Sequence, residues 1–378
     1  MTDITLYPSN WLYNAGVVGF LSCLDRGDYL YNFQNSKYNI NDDGTISITK
    51  EIFEKIKVDE NYFENGKVIN LKGKNQYYPN FIDVDGNQKE VFKKFVEAFS
   101  DSSKIQQSDC ELCGSGLLVI KENLDNNIDN KQKENFFSKI SKLDMVHNKL
   151  LGPSKKFPNS YWNLESGFKV CHLCTFLLIH HHLALTRLSD GSEIFINAPS
   201  FKLMYELNNL IREFFGKTEA DSTKKREILA MSVIEYARRL QTTLGQWDAM
   251  NIEIIVKSFK LDRSQTPPKK IEFIDFYSLP YHTVQLLLDR NIATILSDIG
   301  EFSVLNNVLD GFYDNLISVA HNLIRIYVKG EQNKADNNWI DDYFKRFINK
   351  RNLFLTSQKI LKLYATIIDR RKLYARTN

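Results

Sequence analysis

Four of the five cysteines in this 378-residue chain fall into two pairs with the same spacing. Cys110-Glu111-Leu112-Cys113 runs into Gly114, and Cys171-His172-Leu173-Cys174 repeats the pattern downstream. Two residues between cysteines let both thiolates turn toward one ion, and two such pairs complete a tetrahedral zinc shell. Cys110, Cys113, Cys171 and Cys174 are therefore expected to hold one structural Zn2+ per chain. Cys-x-x-Cys-Gly is a knuckle, because glycine lets the backbone turn tightly beneath the sulfurs. Four protein ligands leave no open position for water or substrate, which makes the expected site structural and not catalytic. Binding of this kind carries about 10–16 kcal/mol of apparent free energy, comparable to the stability of a whole domain. The competing reading is a pair of disulfides or ordinary buried thiols. Nothing else in the chain argues for the oxidising compartment that disulfides need.

A second kind of chemistry is suggested by basic residues set among aromatic ones. Lys72, Lys74 and Asn75 lie in a loop that also holds Gly73, Tyr77 and Tyr78, a composition able to touch phosphates or base edges. Lys155 and Lys156 stand beside Phe157, Tyr161 and Trp162, in a segment that Pro153 and Pro158 hold extended. Residues of these types suit backbone contacts and base stacking in nucleic acid. The plainer alternatives stay open: a solvated loop for the first, core packing of the aromatics for the second. The C-terminal end is more one-sided. Past Tyr343 stand Lys345, Arg346, Lys350, Arg351, Lys359, Lys362, Arg370, Arg371, Lys372 and Arg376, against Asp369 alone. The whole chain has a formal net charge of only +3. A solvated face needs less bias than that, so a polyanion is the expected neighbour, with Arg346, Lys350, Lys359, Lys362, Arg370 and Arg371 as its contacts.

Other active-site signatures are absent from the sequence. It contains no phosphate-binding Walker loop, no glycine-rich dinucleotide fingerprint, no His-Glu-x-x-His helix and no Gly-x-Ser-x-Gly elbow. Cys23 is a lone thiol on an apolar helix and reads as core. His180, His181 and His182 are consecutive, so on a helix they point about 100° apart and cannot converge on one metal; one or two of them are expected to be partly buried. No catalytic residue is assigned, and the expectation is that the chain is not an enzyme.

The elements that must position these residues follow from composition and periodicity. Hydrophobic content of 43% with 25% charge belongs to a folded globular chain long enough for two or three domains. No apolar run approaches the roughly 18–20 residues of a membrane span, and Asp3 precedes the apolar residues 11–24 with no Lys or Arg before them, unlike a secretory leader. A cytoplasmic protein with reduced thiols and no membrane partner is expected. Residues 11–24 read as a helix capped by Ser9 or Asn10, with Ala15, Gly16 and Gly19 making a small-residue stripe for close packing. Asn41-Asp42-Asp43-Gly44 marks a hairpin turn. Residues 91–99 read as a short helix, 123–135 as a polar surface loop and 136–150 as a further helix. The second cysteine pair leads into a helix over 175–188, and 193–197 into a strand. Residues 251–259 and 270–277 form a long hairpin between helices. Helices are expected at 201–215, 221–244, 281–296, 302–328, 338–349 and 352–375, the last with Ile360, Leu361, Tyr364, Ile367 and Ile368 inward. The fold class is α+β: a mixed N-terminal part with a four-cysteine zinc module, then a mainly α-helical C-terminal bundle. Its parts are residues 1–100 (α/β), 101–200 (zinc module with an inserted loop), 201–280 (helices with the hairpin) and 281–378 (bundle with a basic surface).

The opening string Asn10-Trp11-Leu12-Tyr13-Asn14-Ala15-Gly16-Val17-Val18-Gly19-Phe20-Leu21, the Cys-x-x-Cys-Gly knuckle and the later Cys-x-x-Cys together resemble a CRISPR-associated family. It is the large subunit of type I-B Cascade surveillance complexes. The resemblance covers residues 1–190 by motif and the helical remainder by architecture. It implies a non-catalytic subunit of an RNA-guided antiviral complex, bound to guide RNA and to other Cascade subunits. Such a subunit inspects double-stranded target DNA for a short motif beside the target, while base pairing reads the sequence. Its helical bundle helps to hold the guide–target duplex and the displaced strand, and a recruited helicase-nuclease does the cutting. The chain is short for that family, and no motif-reading residue transfers. Two rivals remain: a zinc-containing nucleic-acid-processing enzyme such as a nuclease, and a purely structural scaffold subunit.

Overall fold

The computed structural model of the chain describes residues 3–26, 38–56, 87–113, 116–125, 127–140, 142–144, 167–215, 225–240, 252–262, 264, 269–330, 333–344 and 352–377. Two compact units emerge, and the chain passes between them more than once. The first comprises Met1–Arg187, Glu193–Asn208 and Ile255–Asp275; the second comprises Leu188–Ser192, Asn209–Ile254 and Phe276–Asn378. Among the described residues, no helix is long and apolar enough to cross a membrane.

The first unit is α+β. Strand β1 (Ile4–Leu6) precedes helix α1 (Trp11–Arg26), and β2 (Tyr38–Ile40) and β3 (Ile46–Ile48) form the hairpin. Together they make an antiparallel sheet in the order β1-β3-β2. The hairpin turn is where the sequence places it. Gly44 has φ +82°, and Asp43 Oδ1 accepts from the Thr45 amide at 2.9 Å. Short helix α2 (Ile52–Lys55) and helix α3 (Asn87–Glu97) follow, then two single 3-10 turns. Strands β4 (Ile105–Gln107) and β5 (Leu117–Val119) pair, as do β6 (Lys142–Asp144) and β7 (Gly167–Lys169), with helix α4 (Asn130–Ile140) between the two hairpins. Helices α5 (His172–Leu178) and α6 (His181–Ala184) lead to β8 (Thr186–Arg187) and β9 (Glu193–Asn197). These complete a four-stranded sheet, β11-β10-β9-β8, with the long hairpin β10 (Glu253–Asp262) and β11 (Lys269–Ser278).

An aromatic core ties these pieces together. Phe20, Phe53, Phe92, Phe95, Phe99, Phe136 and Phe176 are all fully buried. Their rings meet at centroid distances such as 5.4 Å for Phe20–Phe176, 5.3 Å for Phe53–Phe99 and 5.2 Å for Phe95–Phe136. Edge-to-face and tilted pairs of this kind contribute about 0.5–1.5 kcal/mol each beyond burial. Two local expectations change here. Residues 123–135 are not a polar loop throughout, because α4 begins at Asn130 and buries Phe136 and Phe137 against the other rings. The helix expected over 175–188 breaks after Leu178, and the chain turns through Ile179 and His180 before α6.

The second unit is helical among its described residues, apart from the hairpin ends. Helix α7 (Phe201–Phe215) runs into it, followed by α8 (Lys225–Leu240), α9 (Tyr281–Leu288) and α10 (Arg290–Ile299). Then come α11 (Phe302–Leu309), α12 (Tyr313–Lys329), α13 (Lys334–Tyr343) and α14 (Leu353–Thr377). The single helix expected over 302–328 is split where Gly311 takes φ +73°. Helix α13 starts earlier than expected, because Asn333 and Asp336 form a reciprocal capping box. In α14 the buried stripe is Leu353, Ser357, Ile360, Leu363 and Ile367; Leu361 faces outward, one register step from the expected pattern.

Candidate metal centre

The first cysteine pair sits on the turn of the β4–β5 hairpin. The strands pair from Ile105↔Val119 to Gln107↔Leu117, and the Ser108 amide then donates to the Gly116 carbonyl at 3.1 Å. A Cβ at Gly116 would stand 1.6 Å from the Ser108 carbonyl oxygen, so only glycine allows this closure. Gly114, the glycine of the knuckle motif, lies outside the described residues. The second pair belongs to the first turn of α5. Cys171 is its N-cap, its sulfur accepting from the Cys174 amide at 3.4 Å. Spacing of two thus means something different in each pair: a hairpin turn in one, one turn of helix in the other.

Both pairs converge. Cys110 Sγ lies 3.7 Å from Cys174 Sγ, Cys113 Sγ lies 3.8 Å from Cys171 Sγ, and all four sulfurs lie within 4.8 Å of one another. A disulfide requires about 2.05 Å, and the four are free thiols. Around an ion with metal–sulfur bonds of about 2.3 Å, tetrahedral geometry places the sulfurs about 3.8 Å apart, the spacing of the Cys110–Cys174 and Cys113–Cys171 contacts. All four cysteines are buried. The arrangement fits one metal ion, and soft thiolate donors in tetrahedral array select zinc, iron–sulfur or cuprous chemistry over hard cations. Among the described residues this is the single cluster of three or more histidine, cysteine or acidic groups able to hold an ion.

The electrostatics also call for a cation. Hydrogen bonds from Cys113, Cys171 and Cys174 hold the Cys110 thiol far below its usual range, while burial pushes Cys174 well above it. Cys113 is also held below its usual range and Cys171 is pushed well above it, so two sulfurs ionise at the expense of the other two, and four thiolates coexist only around a positive ion. A further sulfur contact is backbone: the Cys171 amide donates to Cys110 Sγ at 3.3 Å. Such donors disperse thiolate charge and orient the ligands.

The surroundings hold the two halves in register. His172 Nδ1 accepts from the Val119 amide at 2.9 Å, tying α5 to β5. Burial pushes this imidazole down to about 4, so it serves as a neutral acceptor. The Thr175 hydroxyl proton is shared between the carbonyls of Ile140 and Cys171, at 3.0 and 3.1 Å. Behind α5 lies α1. A Cβ at Gly16 would stand 2.6 Å from the Leu177 carbonyl oxygen, and one at Gly19 only 2.1 Å from that of His180. The small-residue stripe is therefore a backbone-to-backbone seat for the α5–α6 segment. Tyr13, on the same helix, is fully buried, and its phenol is pushed up first by burial and then by the negative field of the four cysteines. His180 and His181 are more deeply buried than expected. Their Nδ1 atoms lie 3.0 Å from the Phe176 and Leu178 carbonyls, and among the described residues they join no metal cluster. His172, Gly116 and Tyr13 escaped sequence reasoning. Only the adjacency of His172 to Cys171 could have flagged it.

The residues expected to touch nucleic acid divide in two. Lys72, Lys74, Asn75, Lys155, Lys156, Arg346 and Lys350 lie outside the described residues. Lys359, Lys362, Arg370 and Arg371 all lie on α14. Arg370 Nε pairs with Asp289 Oδ2 at 2.6 Å, and Lys359 Nζ lies 3.9 Å from Asp298 Oδ2. The Arg371 guanidinium sits 5.0 Å over the Tyr313 ring, and Lys362 is exposed. Three of these four cations thus have partners within the chain.

The chain matches no protein-family model, no curated protein and no solved structure.

Proposed function

We propose that the protein is a non-catalytic, zinc-containing subunit of an RNA-guided surveillance complex, the large subunit of a type I-B Cascade. One observation carries this reading. The opening string and the two cysteine pairs, far apart in sequence, form one packed assembly: Gly16 and Gly19 of α1 seat the segment that follows Cys171 and Cys174. Features that the sequence resemblance lists separately are thus parts of one module. Zinc is the assigned ion because four thiolates at tetrahedral spacing form a closed shell without redox demands. Its role is to clamp the β4–β5 hairpin to α5, leaving no vertex for substrate.

In the assembled complex the subunit contacts guide RNA, duplex target DNA, the displaced strand and its neighbouring subunits in the cytoplasm, and a recruited helicase-nuclease supplies the cutting. Lys72, Lys74, Asn75, Lys155 and Lys156 are the proposed duplex contacts. Arg346, Lys350, Lys359, Lys362, Arg370 and Arg371 are the proposed strand contacts, with Lys362 the exposed member on α14. The test is to purify the chain with a tagged guide RNA and the candidate partner subunits, then measure duplex binding against salt. Retention in a ribonucleoprotein particle, duplex binding that falls steeply with salt and no cleavage with divalent metal support the reading. Metal-dependent cutting by the purified chain contradicts it, as does failure to crosslink to RNA or DNA.

A further inference from the structure

The two longest helices of the second unit leave an apolar seam open to solvent. Ile317, Ile324 and Val328 recur at seven- and four-residue intervals, so they share one flank of α12, as Phe354 and Leu361 share one of α14. At one end the Tyr327 ring stacks on Phe354 at a centroid distance of 5.4 Å. Toward the other end the Tyr364 hydroxyl reaches Asp314 at 3.5 Å, beside Ile317 and Leu361 on their own helices. The helices are therefore antiparallel and the two apolar flanks adjoin. Val328 is 76% exposed, Tyr327 54%, Phe354 43%, Ile317 40% and Leu361 38%. Exposed large side chains occur singly on any surface, but a row shared by two packed helices and bridged by the Tyr327–Phe354 stack marks an interaction site.

The rim of the seam carries more positive than negative charge, with Asp314 and Asp369 as its exposed acids. Lys362 and Lys372 are exposed on α14 and have no ion-pair partner among the described residues. On α12 the Arg325 side chain is 56% exposed while sharing Asp336 with Lys329. From Ile317 to Val328 the seam runs about 17 Å, the length of about three helical turns.

We propose that this seam docks one amphipathic helix from a partner protein, carrying an apolar stripe at i, i+4, i+7 and i+11 and acidic residues on its flanks. A third helix laid into the groove of an antiparallel pair is the standard way to cover such a face. The exposed lysines select its charge. This inference stands apart from the reading of the cysteine module and does not depend on it.

The experiment uses the full metal-loaded chain and two fluorescent synthetic helices of about 15 residues. Both carry leucine at the stripe positions, one flanked by glutamate and the other by lysine. Anisotropy titration should show the glutamate peptide binding at least about tenfold tighter than the lysine peptide. The double variant Ile317→Asp/Leu361→Asp should lose about tenfold or more of that affinity while melting like the parent. Lys362→Glu/Lys372→Glu, which leaves the apolar row intact, should weaken the glutamate peptide and favour the lysine one; it carries the test if the first variant folds poorly. Equal binding of the two peptides, no binding of either, or binding untouched by both variants overturns the proposal. So does concentration-dependent dimerisation of the chain that Ile317→Asp/Leu361→Asp abolishes, because the seam then belongs to a second copy.

Discussion

Around the four cysteines the chain holds itself together with sulfur, aromatic rings and backbone laid directly on backbone. The helices from Tyr281 onward use aliphatic stripes, capped ends and half-exposed ion pairs instead. In the first region neighbouring groups depend on one another: α5 carries two ligands, a histidine that grips β5 and the carbonyls against which Gly16 rests. In the second, the Asp289 cap, the Asn333–Asp336 capping box and the Arg370–Asp289 pair each stabilise one helix end. Damage should therefore spread in the cysteine region and stay local in the helices.

The sharpest way to break that comparison is to remove one ligand. Cys171→Ser takes away a metal ligand while leaving a side chain that can still cap α5, so loss of metal alone should unfold the first unit. A structural site of this kind contributes about 10 kcal/mol or more, more than a typical domain can lose. Metal analysis together with near-ultraviolet circular dichroism reads this. Truncating the helical core instead, as Ile367→Ala, should cost about 2–5 kcal/mol and leave the metal content unchanged. Equal loss of metal in both variants would remove the contrast.

Backbone contact comes next. Gly19→Ala places a Cβ 2.1 Å from the His180 carbonyl oxygen, a backbone atom that cannot swing aside. Overpacking of this kind costs about 1–3 kcal/mol, although alanine favours an isolated helix by about 1 kcal/mol. Denaturant midpoints should fall. A Gly19→Ala variant as stable as the parent would show that α1 does not rest on the α5–α6 segment.

Acid should weaken the first region by a calculable route. Burial pushes His180 and His181 down to about 3 and His182 to about 4, against about 6.5 in an unfolded chain. Between those values the unfolded state binds more protons than the folded one. Their contribution is thus intact above about pH 6.5 and is lost as the pH falls toward 3–4, by up to about 1.4 kcal/mol per pH unit per histidine. Replacing His180 by phenylalanine should flatten the slope of stability against pH between 6 and 4; an unchanged slope would assign the acid sensitivity elsewhere. The smallest effect is expected from Arg370→Met. Arg370 is half-exposed, and the largely buried Asp289 keeps its bonds from the Asn291 and Ile292 amides, so the loss should be about 1 kcal/mol.

Much of this arrangement was legible where local chemistry is decisive. The repeated cysteine spacing, the Asn41–Gly44 turn, strand β9 and the β10–β11 hairpin all follow from residue types within a few positions. What was hidden depends on distant partners. The first half of helix α4 reads as a loop because the helix's apolar residues crowd into its C-terminal half, and only the rings of Phe92 and Phe95 make Phe136 a core residue. The break after Leu178 has no proline or glycine to announce it. It serves the fit of α1 and the burial of His180 and His181. In α14, Leu361 and Leu363 are equally apolar in sequence, and the neighbouring helices decide which one is buried. The close approach of Gly116 to Ser108 is something the Cys-x-x-Cys-Gly motif does not express.

The central claim is that Cys110, Cys113, Cys171 and Cys174 hold one ion and that the first unit depends on it. Titrating the native chain with a mercurial thiol reagent, while recording zinc release and tryptophan fluorescence, tests both halves at once. The account predicts about one zinc per chain, released as the cluster thiols react and accompanied by unfolding. Absence of stoichiometric metal, or release of the ion from a chain whose fluorescence and protease resistance do not change, would contradict it.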